Sequence, residues 1–233
     1  MARTLAAAIT NYEAALPSGG WPNWVLGNHD RPRVAIKRGQ AQARVAAVLL
    51  LTLRGTPTLY YGDELGLSDV VIESSQVRDP RELREPGLAL GRDPVRTPMP
   101  WNDSENAGFT KAKPWLPLHA DWRTRNVARM AEEPQSILTL YRRLLALRRD
   151  CLALSIGDFV LLNVEDEILV YERRHDAERL IVALNLGGRE HRLQLPDWAR
   201  GSRLLLSNVE GAVLVEGGAL LLRSNEAVVL KAG

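Results

Sequence analysis

Between Trp24 and Arg33 the chain reads W-V-L-G-N-H-D-R-P-R, and no other stretch limits the possible folds so tightly. Three apolar residues and a glycine give way at once to Asn28, His29 and Asp30. A short apolar run that stops abruptly in polar residues is the pattern of a strand buried on both faces whose carboxyl end delivers chemistry. In a (β/α)-barrel the active site lies at those carboxyl ends, so His29 and Asp30 would face a ligand while Asn28 tied down the turn. The alternative is a strand end closed by an Asx-type turn, with the histidine and the aspartate solvated.

The neighbouring periodicity fits a barrel. Leu5, Ala8, Ile9, Tyr12, Ala15 and Leu16 recur at helical spacing, which predicts an amphipathic helix over the first fifteen residues, ended by Pro17-Ser18-Gly19-Gly20. A strand over residues 24–27 follows. A second helix is predicted over 40–53, with Ala41, Val45, Val48, Leu49 and Thr52 on one face, Gly55 as a left-handed cap and Pro57 blocking continuation. Thr58-Leu59-Tyr60-Tyr61 is another short apolar strand, closed by Gly62-Asp63-Glu64. Helix and strand alternating through short links indicate parallel βα units.

From Leu65 to about Glu133 periodicity fails, and an irregular stretch of that length inside a domain is usually functional. Regularity returns with a helix over 134–150, with Pro134 at its first position and Ile137, Leu138, Tyr141, Leu144 and Leu145 as its buried stripe. Arg142, Arg143, Arg148 and Arg149 are expected to form a solvated face near its end. After Ser155 come short runs rich in Val, Leu and Ile, at 159–164, 168–173, 180–186, 191–195, 203–207, 219–223 and 227–231. Glu165-Asp166, His175-Asp176, Gly187-Gly188 and Gly217-Gly218 supply turns between them. Such spacing predicts an antiparallel β-sandwich, so the expected domains are 1–151 and 152–233.

Composition excludes several classes. Thirty basic residues against twenty-eight acidic ones leave a formal net charge of +2, which gives no reason to expect nucleic acid or an anionic membrane as partner. No apolar run reaches the roughly 18 residues of a membrane span. The amino terminus does not read as a signal peptide, and a cytoplasmic location is the default expectation. The single cysteine, Cys151, rules out an intramolecular disulfide and reads as a small apolar filler. His119 and His191 have no partner spacing that suggests a metal, His175 is expected to be solvated at a hairpin tip, and no cofactor is expected.

Several motifs agree in order. V-L-G-N-H-D, Val25 to Asp30, resembles the fourth conserved region of the α-amylase superfamily, glycoside hydrolase family 13, which closes barrel strand seven. G-T-P-T-L-Y-Y-G-D-E-L-G, Gly55 to Gly66, resembles that family's strand-eight signature. G-R-D-P-V-R-T-P-M-P-W, Gly91 to Trp101, is similar to a segment of α-glucosidases, oligo-1,6-glucosidases and trehalose synthases. Pro114-Trp115-Leu116-Pro117, the helix through Leu140-Tyr141-Arg142-Arg143-Leu144 and a terminal sandwich also fit. The resemblance covers essentially the whole chain. It implies a fold made of strands seven and eight of a (β/α)8 barrel, the C-terminal part of that domain, followed by an antiparallel β-sandwich.

The resemblance also implies roles. His29 would hydrogen-bond sugar hydroxyls. Asp30 would accept from the 2- and 3-hydroxyls and stabilise an oxocarbenium-like transition state, where such bonds strengthen. Arg96 aligns with an arginine at the base of the pocket; its alternative is a loop arginine pairing with Asp93 or Glu105. Arg33 either lines the leaving-group side or anchors the loop, and Arg92 is expected to be structural. Tyr60, Tyr61, Trp101, Trp115 and Trp122 are of types that stack on sugars, but each is expected to pack a barrel rim. Asp63 and Glu64 are expected to secure the loop.

A retaining glycosidase needs a nucleophile and an acid/base carboxylate about 5 Å apart. In this family they come from strands four and five, and no segment here matches either. The chain is therefore expected to be the carboxyl-terminal part of a retaining α-glucosidase acting on maltose or isomalto-oligosaccharides. It would be inactive without an amino-terminal barrel portion from the same chain or a partner subunit. Its barrel faces should be left exposed, and its sandwich should be the sturdier half. Alternatives are a segment of a trehalose synthase or other α-transglycosylase, a non-catalytic carbohydrate-binding module, or a split-enzyme subunit.

Overall fold

The computed structural model describes residues 1–211, the backbone of 215 and 216, and 218–233; the turn expected at Gly217 lies outside the described residues. Helix α1 spans Ala2–Ala15, strand β1 Asn23–Val25, α2 Val34–Thr52 and β2 Thr56–Thr58. Short helices α3, Pro80–Arg84, and α4, Val127–Glu132, punctuate the irregular stretch before α5, Ile137–Asp150, and α6, Leu152–Ser155. Then follow β3 Asp158–Glu165, β4 Ile168–His175, β5 Glu178–Asn185, β6 His191–Gln194, β7 Arg203–Ser207, β8 Val215–Glu216, β9 Ala219–Leu222 and β10 Ala227–Lys231. Among the described residues no helix is long and apolar enough to cross a membrane.

The described residues gather into two compact units. One gathers Met1–Trp24, Arg44–Thr58 and Arg142–Gly233, and the other Val25–Ala43 and Leu59–Tyr141. The first unit holds an antiparallel sheet in the order β3-β4-β5-β10-β7 and a smaller one in the order β6-β9-β8. Ile168, Val170, Ile181, Ala183, Val228 and Leu230 of the larger sheet share a core with Leu193, Leu220 and Leu222 of the smaller. The opposite face of the larger sheet is buried too, with Leu169 and Tyr171 on β4 and Leu180, Val182 and Leu184 on β5 inaccessible. Helix α1 lies against β3 and β4, and α6 against β4 and β5. Burial on both faces explains why β4 and β5 read as continuous apolar runs rather than alternating ones.

This double burial also explains the unit boundary. The end of α2 belongs to the second face: Thr52 Oγ1 and Tyr171 Oη are 2.5 Å apart, and the buried Arg173 donates to Thr52 O at 2.5 Å. Arg148, expected to be solvated, instead donates to Leu51 O and Leu53 O, both at 2.9 Å, and to Gly55 O at 2.5 Å. It thereby satisfies carbonyls that the end of a helix leaves without partners. Gly55 has φ +117, and a Cβ there would meet Pro22 O at 2.5 Å, so only glycine passes this point without strain.

Strands β1 and β2 pair as a two-stranded sheet, each starting earlier than its apolar run suggested. Trp24 Nε1 donates to Arg54 O at 2.6 Å beside them. Val25 and Leu59 are exposed. Helix α2 is broken at Gly39, with φ 78 and ψ 165, so its regular part begins at residue 40 as the spacing predicted. Helix α5 starts at Ile137 rather than Pro134, because Ser136 Oγ accepts the Thr139 N–H at 3.0 Å, an N-cap bond. Its stripe includes Leu140, while Leu145 is exposed. Cys151 is buried.

The second unit is mostly loop, held by side-chain bonds to backbone. Asp79 caps α3 at Arg81 N, and Asn126 caps α4 at Arg129 N. Arg125 donates to Asp121 Oδ2 at 2.7 Å, to Leu65 O at 3.0 Å and to Gln40 Oε1 at 3.2 Å. His119 pairs with the same aspartate.

Candidate active site

The end of β1 is shaped by small residues and a local bond. A Cβ on Gly27 would lie 2.3 Å from Asp63 Oδ2, so glycine there lets that carboxylate pass beneath the strand end. Asn28 Oδ1 accepts the Asp30 N–H at 2.9 Å, the Asx turn expected from the sequence. That turn presents His29 and Asp30 outward, with side chains 63% and 48% exposed.

Three cationic or potentially cationic groups converge on Asp30 Oδ1: Arg96 Nη2 at 3.0 Å, His29 Nε2 at 3.3 Å and Arg92 Nη1 at 3.4 Å. Arg96 Nε also donates to His29 O at 3.0 Å, so one guanidinium spans both residues. Loss of water pushes the Asp30 carboxyl up, but His29, Arg96 and Arg92 outweigh it and hold the group below its ordinary value. It stays an acceptor in acid where a free aspartate would begin to protonate. Arg96 does not use the alternative partners Asp93 or Glu105 in any of these bonds. It also lines an open groove of 380 Å³ with Pro98, Phe109, Pro114 and Trp115.

Arg33 immediately precedes α2. Its side chain is wholly buried, so the expected place on the leaving-group side is not the one it takes here. Nη1 donates to Tyr61 O at 2.6 Å and Nη2 to Val95 O at 2.9 Å, with the guanidinium 4.9 Å from the ring centres of both Tyr60 and Tyr61. Tyr60 Oη donates to Val95 O at 3.0 Å and Tyr61 Oη to Thr97 O at 2.7 Å. These three residues grip the backbone on either side of Arg96. Arg33 therefore anchors the loop that brings Arg96 to Asp30, the second of its two sequence readings. Trp101 and Trp115, expected to pack, are exposed, Trp115 at 86%.

Two acidic residues beneath the site were not singled out as site residues from sequence. Asp93 Oδ2 accepts the backbone N–H groups of Arg78 at 2.6 Å and Asp79 at 2.8 Å. Asp79 in turn accepts from Arg92 N at 2.8 Å, Nε at 2.7 Å and Nη2 at 2.9 Å. The Arg92 fork holds the Asp79 carboxyl well below the usual carboxylate range. Only the D-P spacing of both segments hinted at turns; the pairing itself joins positions thirteen residues apart through irregular chain. Among the described residues no group of three or more His, Cys, Asp or Glu is placed to hold a metal ion.

Asp63 is buried beside Arg33 Nη1 at 3.8 Å. Loss of water pushes its carboxyl up to about 6, with Arg33 pulling the other way. Unfolded, it would titrate near 3.8, so the folded state binds this proton more tightly. Its contribution to stability is full below the unfolded value and is lost as pH rises through about 6, an effect of about 3 kcal/mol. Urea unfolding near pH 4 and near pH 7 should show this: Asp63→Asn should remove about that much of the decline seen in the unaltered chain.

A model of the α-amylase catalytic domain matches residues 1–157. The chain is 32% identical to an oligo-1,6-glucosidase of Parageobacillus thermoglucosidasius, over 96% of its own length and 44% of the relative's. Among solved structures it superposes on the α-glucosyl transfer enzyme XgtA with a TM-score of 0.91 at 33% identity, covering 100% of this chain and 44% of that one. The trehalulose synthase MutB of Pseudomonas mesoacidophila MX-45 gives a TM-score of 0.85 at 31% identity, covering 97% and 45%. The chain thus spans less than half the length of the proteins it matches.

Proposed function

The chain belongs to the α-amylase family of glycoside hydrolases, and we propose that it supplies one wall of the sugar pocket of an α-glucosidase-like enzyme. The observation that carries this reading is the outward-facing Asp30 carboxylate, fixed through Oδ1 by Arg96, Arg92 and His29. Its other oxygen then accepts from hydroxyls of the glucosyl ring, and His29 adds a further polar contact. As the ring gains oxocarbenium character its hydroxyls become better donors, so a prefixed ionised acceptor binds the transition state more strongly than the substrate. Arg96 holds both residues in register, and Arg33 holds Arg96. The substrate class is an α-linked glucoside such as maltose or an isomalto-oligosaccharide.

Asp30 stabilises charge but neither attacks nor transfers the proton. Those steps need two carboxylates about 5 Å apart, and the buried Asp79 and Asp63 are committed to arginines. They would come from a barrel portion outside these residues, in the same polypeptide or in a partner. The purified chain is therefore expected to release no nitrophenol from nitrophenyl α-glucoside. Maltose should still perturb the NMR signals of His29 and Asp30, and Asp30→Asn should abolish the perturbation. Turnover by the chain alone would refute its incompleteness; perturbations confined to the tail sheets would favour a carbohydrate-binding module instead.

A second reading is glycosyl transfer. It is favoured by the likeness to XgtA and by the groove that Arg96 shares with Phe109 and Trp115, which suits an acceptor sugar. Product analysis of an active assembly decides: free glucose marks hydrolysis, and new disaccharide marks transfer.

A further inference from the structure

We propose that Asp79 is a positioning residue for the candidate site, aiming Arg92 at Asp30. The proposal rests on the reading of Asp30 as the pocket carboxylate.

The geometry is a relay of one fork. Arg92 turns Nε and Nη2 toward the two oxygens of Asp79, at 2.7 and 2.9 Å, which leaves Nη1 pointing to Asp30 Oδ1 at 3.4 Å. A bidentate contact fixes the guanidinium plane, not merely its distance. Asp79 can impose that plane because it is itself immobile. Its side chain is inaccessible, and it also accepts from Arg81 N at 3.1 Å and Arg92 N at 2.8 Å. Asp93 locks the arrangement from the other side by accepting the Asp79 N–H. Two carboxylates therefore clasp each other's chain segments, and Nη1 is the part of the Arg92 fork that faces Asp30. Arg92 is 31% exposed, so without the clasp its long side chain would wander in solvent. Arg96 and His29 reach Asp30 from its other neighbours, so the pull of Arg92 must be separated from theirs.

A double-mutant cycle on the full chain makes that separation, with the Asp30 carboxyl followed by carbon-13 NMR. Arg92→Lys, which keeps the charge and loses the fork, should raise the Asp30 midpoint by about 0.5. In an Asp79→Asn background the same change should move it by less than about 0.1, because Arg92 is no longer aimed. An equal shift in both backgrounds, or none in the unaltered one, overturns the proposal. A readout that needs no variant stands beside these. The Arg92 Nη protons of the unaltered chain should be individually resolved by arrested rotation, and an averaged signal overturns the proposal as well. Failure of the underlying reading looks different: the cycle would hold, but maltose would leave the Asp30 signal unmoved.

Discussion

Arg173→Met should lower the stability of the chain by about 3–5 kcal/mol, the largest effect expected of any single change in the sheet unit. Arg173 is fully buried on β4 and donates to three carbonyls: Thr52 O at 2.5 Å, Gly157 O at 2.8 Å and Asp158 O at 3.2 Å. Burial pushes its guanidinium down to about 10, a measure of how little water reaches it. Methionine fills much of the volume but donates nothing, so three acceptors are stranded in a dry site. Arg173→Lys should fall between, since an ammonium cannot reach all three at once. Urea unfolding followed by circular dichroism checks both; a methionine variant within 1 kcal/mol of the parent, about the worth of one ordinary hydrogen bond, would show that the carbonyls find other partners.

Asp30→Asn should lower kcat/KM for nitrophenyl α-glucoside by about 10³ in an active chimera, made by joining this chain to the amino-terminal part of its oligo-1,6-glucosidase relative. The amide keeps the shape and one acceptor oxygen but loses the charge that, in the proposed role, stabilises the oxocarbenium-like ring. The loss should fall mainly on kcat, because the ground-state sugar is neutral. A decline within threefold, or one confined to KM, would assign Asp30 to simple substrate binding.

Local features were legible in the sequence, and contacts between distant segments were not. Strands β7 and β10 begin and end where their runs of leucine and valine meet turn residues. The hairpin turns fall on Asp166 and Asp176, both at positive φ, a conformation that aspartate tolerates. The turn from Asn28 to Asp30 was equally local. Arg33, Arg148 and Asp79 are a different matter. Each spends its donors or acceptors on groups far along the chain, and nothing in residue type separates a solvated arginine from one capping a helix ninety-odd positions away. The exposure of Trp115 is illegible for the same reason: whether an aromatic is covered depends on what arrives from elsewhere. The family resemblance singles out His29, Asp30 and Arg96, but nothing in the sequence tells that one Asp30 oxygen lies beside Arg96, Arg92 and His29 together.

The interleaving of the first unit bears on how the protein is made. Helix α1 and the end of α2 lie with sheets built from residues 158–231. During synthesis these helices must therefore wait, their apolar sides available to chaperones, until the strands that cover them emerge. A stop codon between α2 and β3 would then leave the earlier helices without the sheets they pack on.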